Sequence, residues 1–207
     1  MGRRSSSSSQ WLRRQASDPY VKQRQTDGYR SRAAFKLIEL NQRDSFLLPG
    51  AKVIDLGAAP GGWTQVATAV AGGRGMVVAV DVLEMQAVKG AMFILGDCRE
   101  SGVADQIRGA LGNASADLVM SDMAPNLTGI QIRDEAQAEE LAFTAFDFVK
   151  AHLRPGGAFV LKLFHFGGTD AFVKEISQAF KSVMRRKPES SRQKSREFYV
   201  VAKGYVL

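Results

Sequence analysis

Four short apolar segments of this chain end at or just before an aspartate, and a fifth carries a lysine near its end: Asp55, Asp81, Asp97, Asp122 and Lys162. The segments alternate with stretches of helical periodicity, and that alternation predicts an α/β sandwich built on a mostly parallel sheet. In an open parallel sheet, ligands bind outside the carboxyl ends of the strands, so these five polar ends would converge on one face. A single acid at a strand end is commonly a turn former or a helix cap. Five of them point to a polar site.

The elements read as follows. Ala33, Ala34, Leu37, Ile38 and Leu40 recur at helical spacing in a helix from Ser31 to about Asn41 that carries Lys36. Pro49 and Gly50 interrupt, and Lys52–Leu56 reads as a strand ending in a glycine-rich turn. A helix over 61–71 leads through Gly72, Gly73 and Gly75 to the strand 76–80, whose continuous apolar character suits burial on both faces. Strand 91–95, helix 100–111, strand 116–120 and a long helix 134–153 follow, the last with Leu141, Ala142, Ala145, Phe146 and Val149 on one face. Pro155-Gly156-Gly157 is expected to break the chain before a strand over 158–164. After a helix over 170–180, segments 181–186 and 197–204 are expected to pair as antiparallel strands flanking a basic loop.

The glycine turn reads Asp55-Leu-Gly-Ala-Ala-Pro-Gly-Gly-Trp63. A phosphate-binding Walker loop needs a lysine after its last glycine, where Trp63 stands instead. A dinucleotide fold wants G-x-G-x-x-G, whereas Gly57 is followed by three other residues before the adjacent Gly61 and Gly62. What remains is a loop allowing close backbone approach, an acid at Asp81 to hold ribose hydroxyls and a further acid at Asp97 near a base edge. This suits a nucleoside without pyrophosphate.

Charge narrows the partner. The 207 residues carry a formal charge of +7, with a pI near 9.7, but the excess is uneven. Residues 1–48 hold 10 basic against 4 acidic side chains, residues 49–180 hold 10 against 15, and residues 181–207 hold 8 against 2. Basic ends around an acidic middle favour a polyanion, because lysine and arginine gain affinity by releasing counterions from phosphates. An anionic membrane is the weaker choice, and a solvated basic surface serving solubility remains the bland alternative. Arg30 and Arg32 ahead of the first helix, with Arg185, Arg186, Lys187, Arg192, Lys194 and Arg196 in the loop 185–196, form the expected phosphate clamp. RNA is told from DNA by its 2′-hydroxyl.

Other classes fall away on composition. No apolar run approaches the roughly 20 residues that span a bilayer, and Ser5 to Ser9 stand where a secretory signal would need apolar residues. A cytoplasmic protein is expected. Cys98 has no second cysteine to pair with, and His152 and His165 complete no metal set, so no metal is expected. Three regions are expected: a basic, disordered arm over 1–17, a helical extension over 18–48 and a catalytic domain over 49–207.

The segment Asp55–Trp63 resembles motif I of S-adenosylmethionine-dependent methyltransferases, and in detail the FtsJ/RrmJ family of RNA ribose 2′-O-methyltransferases. Ser31-Arg-Ala-Ala-Phe-Lys36-Leu, Ser121-Asp-Met-Ala-Pro-Asn126, Val160-Leu-Lys162-Leu-Phe and Arg192-Gln-Lys-Ser-Arg-Glu197-Phe-Tyr199 are similar to that family's blocks in the same order. The resemblance covers nearly everything after Trp11. It implies a Rossmann-like fold with a mostly parallel seven-stranded sheet and an antiparallel C-terminal strand, and a K-D-K-E tetrad at Lys36, Asp122, Lys162 and Glu197. It further implies S-adenosylmethionine held by Asp55, Gly57, Gly61, Gly62, Trp63, Asp81, Asp97 and Asp122. The implied substrate is a uridine ribose in the A-loop of 23S rRNA within the 50S subunit, modified by a monomer. The chain departs from the family after the third tetrad residue, where Phe164-His-Phe-Gly-Gly168 replaces the usual F-Q-G-E-G, and along Asp81-Val-Leu-Glu-Met-Gln86, which lacks the usual proline.

Methyl transfer to a hydroxyl requires an in-line approach and removal of a proton. Lys162 is the expected base. A lysine doing this at neutral pH needs burial and a like charge to favour its neutral form. Lys36 would supply that charge, with Asp122 and Glu197 orienting the lysines. Two other readings stand beside this one: an RNA-binding ribosome-assembly factor without catalysis, and a ribose methyltransferase acting on tRNA.

Overall fold

A computed structural model describes residues 19–126, 128–192 and 195–207. The arm expected over 1–17, and Lys194 of the expected clamp, lie outside them. Seven strands form one sheet in the order β3-β2-β1-β4-β5-β7-β6. The strands are β1 (Lys52–Leu56), β2 (Met76–Asp81), β3 (Ala91–Leu95), β4 (Ala116–Ser121), β5 (Leu153–Phe164), β6 (Phe180–Arg186) and β7 (Glu197–Tyr205). Strands β1 to β5 run parallel, and β7 lies antiparallel between β5 and β6. The expected fold class and the expected antiparallel pairing are both present.

The chain runs from β1 outward through β2 to β3, then returns to place β4 on the other side of β1. Loops leaving β1 and β4 therefore diverge, which opens a crevice at their carboxyl ends. Among the described residues the helices are α1 (Pro19–Thr26), α2 (Ala33–Asp44), α3 (Gly62–Ala71), α4 (Ser101–Ala110), α5 (Gln131–His152) and α6 (Thr169–Ala179), and α2 to α6 cover the sheet. On one face Ala34, Leu37 and Leu40 of α2 and Trp63, Val66 and Ala67 of α3 pack against Val53, Val77 and Leu118. On the other, Ile107 of α4, Phe146 and Val149 of α5 and Phe172 and Ile176 of α6 pack against Ile54, Val78 and Phe159. Burial on both faces accounts for the continuous apolar runs of the inner strands.

Three departures from the expected elements have physical causes. Helix α2 continues to Asp44 because Asn41 is not its stop: the Asn41 side-chain oxygen accepts the Phe46 and Leu47 amides at 3.0 and 2.8 Å and closes the exit turn. Pro155, Gly156 and Gly157 lie inside β5, not before it, at a register shift against β4. Gly156 there has φ of 79°, which an irregular ladder tolerates best at glycine. Helix α1 has no apolar stripe to announce it, since its eight residues are PYVKQRQT, beginning with a proline in the first helical position.

Candidate active site

Strand register brings the tetrad together. Lys162 lies opposite Tyr199, and Phe164 opposite Glu197, so Lys162, Tyr199 and Glu197 share the sheet face that α2 covers. Asp122 follows directly on β4, the strand beside β5. The Lys162 ammonium lies 3.1 Å from Asp122 Oδ1 and donates to the Asp122 main-chain carbonyl. From α2, Lys36 donates to Glu197 Oε1 in a buried ion pair. Each lysine thus has its own carboxylate.

Two further residues complete this arrangement. The Tyr199 hydroxyl donates to Asp122 Oδ1 at 3.1 Å, and the Lys36 ammonium stands 5.6 Å from the centre of the Tyr199 ring. Burial, with Asp122 and Glu197 nearby, pushes the Tyr199 phenol well above its ordinary pKa, so it acts as a donor. Ser191, buried in the loop before β7, donates to Glu197 Oε1 at 3.0 Å. Burial opposes ionisation of Glu197, but the Lys36 charge and hydrogen bond, with Lys162 and Ser191, outweigh it and hold the carboxyl below its ordinary range. Sequence reading missed both roles. Tyr199 stands in a recognised block, yet only the β5–β7 register shows that it shares a face with Lys162.

Beside this cluster a cleft of about 550 Å³ opens between the loops after β1, β2, β3 and β4, lined among others by Gly57, Asp81, Asp97 and Asp122. A Cβ on Gly57, whose φ is 72°, would stand 2.6 Å from Met123 Cγ, so only glycine fits this turn. Asp81 accepts the Ala59 and Leu83 amides, each at 2.8 Å, which ties the glycine turn to the exit of β2. The carboxyl of Asp97 is held below its usual range by hydrogen bonds from Arg99, whose guanidinium also reaches Glu140 at 2.5 Å. The apolar walls Val82, Leu83, Met123 and Leu141, with these few carboxylates, suit a nucleoside-sized ligand. Among the described residues no group of three or more His, Cys, Asp or Glu could hold a metal ion.

Not every expected cofactor residue lines that cleft. Asp55 is fully buried and accepts the Thr64 hydroxyl at 2.6 Å; burial pushes its pKa up to about 7. Through Thr64 it holds the first turn of α3, the helix that the glycine loop enters. Gly61 and Gly62 serve packing: Gly61 has φ of 105° and a Cβ there would crowd Arg30 and Val88 at 3.0 Å, and one on Gly62 would overlap the Ser31 hydroxyl. Trp63 is core: its indole donates to the Ala33 carbonyl at 2.8 Å, and its ring lies 5.9 Å from that of Tyr199.

The expected phosphate clamp divides in the same way. Arg30 donates to the carbonyls of Gln86 and Ala87 at 2.5 and 2.7 Å, stapling the loop after β2. Arg186 makes a two-pronged pair with the buried Asp44, Arg185 pairs with Asp170 at 2.5 Å, and Lys187 donates to the Ser195 carbonyl. Arg32 donates to the Ser190 carbonyl, and the Ser190 amide donates to Glu39 at 3.1 Å, which docks the basic loop on α2. Arg185, Lys187, Arg192 and Arg196 remain exposed.

Known proteins are similar to this chain in sequence and fold. Residues 29–205 match the model of a family described as FtsJ-like methyltransferase. The chain is 50% identical to the ribosomal RNA large subunit methyltransferase E of Marinobacter nauticus over 202 residues, 98% of each chain. It is 49% identical to the protein of the same name from Cellvibrio japonicus, over 98% of this chain and 96% of that one. Among solved structures, a ribosomal RNA methyltransferase from Plasmodium falciparum superposes with a TM-score of 0.76 at 28% identity, covering 86% of this chain and 98% of that one. Aeropyrum pernix fibrillarin shares the fold alone, with a TM-score of 0.57 at 18% identity, over 84% of this chain and 75% of that one. With its tetrad assembled beside a nucleoside-sized cleft and a family match over nearly all of its described length, the chain belongs to the FtsJ-like methyltransferases.

Proposed function

We propose that this chain transfers a methyl group from S-adenosylmethionine to the ribose 2′-hydroxyl of a uridine in 23S rRNA, in the A-loop of the assembled 50S subunit. It does so in the cytoplasm as a monomer, without a metal ion. The observation that carries this reading is the pair of lysines, Lys36 and Lys162, each held by its own carboxylate, that of Lys162 being Asp122, which also lines the cleft. The large-subunit relatives, nearly identical in length to this chain, support the choice of ribosomal over transfer RNA.

The chain's own residues fit the cofactor. Asp81 and Asp97 stand where ribose hydroxyls and a base edge would lie, and the glycine turn at Gly57 allows close backbone approach. When bound, S-adenosylmethionine supplies a methyl on a positively charged sulfur, ready for in-line displacement. Lys162 is the general base that takes the 2′-hydroxyl proton. Asp122 orients it through two contacts and absorbs the positive charge that Lys162 gains. Tyr199 fixes Asp122, while Glu197 and Ser191 fix Lys36. Exposed Arg192 and Arg196 hold RNA phosphates.

Replacing Lys162 by arginine tests the role. Arginine keeps the charge and cannot give up its proton. Loss of transfer by Lys162→Arg, with unchanged cofactor affinity, is expected; substantial turnover by this variant would exclude a base at this position.

A further inference from the structure

Among the described residues, His165 is the only aromatic side chain that stands exposed. It lies at the tip of β5, three positions beyond Lys162 and directly after Phe164, whose ring centre is 5.8 Å from the Lys162 ammonium. The imidazole is not loose. Its ring packs at 4.9 Å and 33° on Phe198, a buried residue next to Glu197. The Arg185 guanidinium lies against the same Phe198 ring at 5.6 Å. Phe198 therefore holds an imidazole and a cation together at the carboxyl end of β5, on the sheet face opposite that of Lys162, Tyr199 and Glu197, and His165 itself stays exposed.

A flat ring held in place beside a reactive centre has a clear use in a protein that acts on RNA. Unpaired bases are taken up by stacking on aromatic side chains, histidine among them, and by contact with arginine planes. Phe198 fixes the platform before RNA arrives, which lowers the ordering cost on binding. The tetrad can address only the ribose, so the base of the bound strand needs a separate surface nearby. We infer that His165, backed by Phe198 and flanked by Arg185, forms a stacking subsite at the end of β5, around the strand end from the tetrad, for a nucleobase of the RNA strand whose ribose is presented to Lys162.

The inference rests on the proposed RNA reading, and its test separates the two. The probes are a fluorescein-labelled uridine dodecamer and a dodecamer of the same ribose-phosphate backbone lacking bases, titrated by anisotropy. The ratio of their dissociation constants reports what the bases contribute. In His165→Ala that ratio falls about tenfold, the size of one lost base stack, while the affinity for the baseless strand stays unchanged. His165→Phe keeps the ratio. An unchanged ratio in His165→Ala, or a His165→Phe variant that behaves like His165→Ala, overturns the subsite. On large ribosomal subunits lacking the modification, His165→Ala raises KM by a similar factor and leaves kcat and cofactor affinity within about twofold of the original, on the same stacking argument. Discrimination between the dodecamers that is lost in His165→Ala, without methyl transfer to subunits, would uphold the subsite and refute the ribosomal substrate.

Discussion

Lys36 and Glu197, 161 positions apart, form a buried ion pair that ties helix α2 to the first residue of β7. The helix preceding the sheet and the strand ending the fold thus meet at the proposed catalytic centre. Removing one partner strands the other charge away from water. Lys36→Met is expected to lose about 3 kcal/mol of stability at pH 7, and adding Glu197→Gln should restore part of it. Because the Glu197 pKa is lowered in the fold, its contribution is present above its ordinary value of 4.5 and lost as pH falls through the lower folded value. In Lys36→Met the burial of Glu197 is no longer offset by Lys36 and raises its pKa. The gap to the original, measured by urea unfolding, should therefore begin to narrow as falling pH protonates the stranded Glu197, above its ordinary value, and narrow further as the original protein loses its own contribution below that value. Equal stability of the two proteins at pH 7 would show that the pair carries no weight.

Asp55 gives the opposite sign. Its pKa rises from 3.8 to about 7 on folding, first of all through burial. The folded chain then keeps a proton that the unfolded chain loses between those values, so stability falls as pH rises from about 4 to about 7. Asp55→Asn, which can still accept the Thr64 hydroxyl, should gain on the original protein across that interval and hold its lead above it. Parallel stability curves from pH 4.5 to 7.5 would contradict this.

The arginines should separate in salt titrations. Arg192→Ala and Arg196→Ala are expected to weaken RNA binding and to reduce the slope of log affinity against log salt by about 0.7–0.9 for each lost phosphate contact. Arg30→Ala should leave that slope alone and lower cofactor affinity, because Arg30 holds the Gln86 and Ala87 carbonyls beside the cleft. A change in salt slope on losing Arg30 would return it to the RNA surface.

Asp81 joins the Ala59 and Leu83 amides and lines the cleft. Asp81→Ala should weaken S-adenosylmethionine binding at least tenfold by calorimetry, since each unpaired amide adds its own desolvation cost of about 1–3 kcal/mol. At saturating cofactor, turnover should largely recover. A kcat defect without a binding defect would place Asp81 in the chemistry instead.

Local patterns carried much of the fold. Strands β1 and β3 span the expected residues, because a short apolar run ended by an acid and a glycine is readable without its neighbours. The glycines at 156 and 157 misled, because a break signal and a strand irregularity use the same residues. At the site, no spacing along the chain relates Lys36 to Glu197; only the family resemblance linked them, and the insertion of β7 between β5 and β6 makes the contact physical. Gly61, Gly62 and Trp63 look from sequence like a ligand grip. In the fold they pack against Ser31, Arg30, Ala33 and Tyr199, since a missing Cβ serves a neighbouring helix as well as a ligand.

The most direct test is methyl transfer from labelled S-adenosylmethionine to purified large ribosomal subunits lacking the modification, with the labelled nucleotide mapped and Lys162→Ala assayed alongside. Label on one uridine ribose, abolished in Lys162→Ala while its cofactor affinity is retained, is the predicted result. Label at a base, label on transfer RNA but not on subunits, or undiminished transfer by Lys162→Ala would contradict the account.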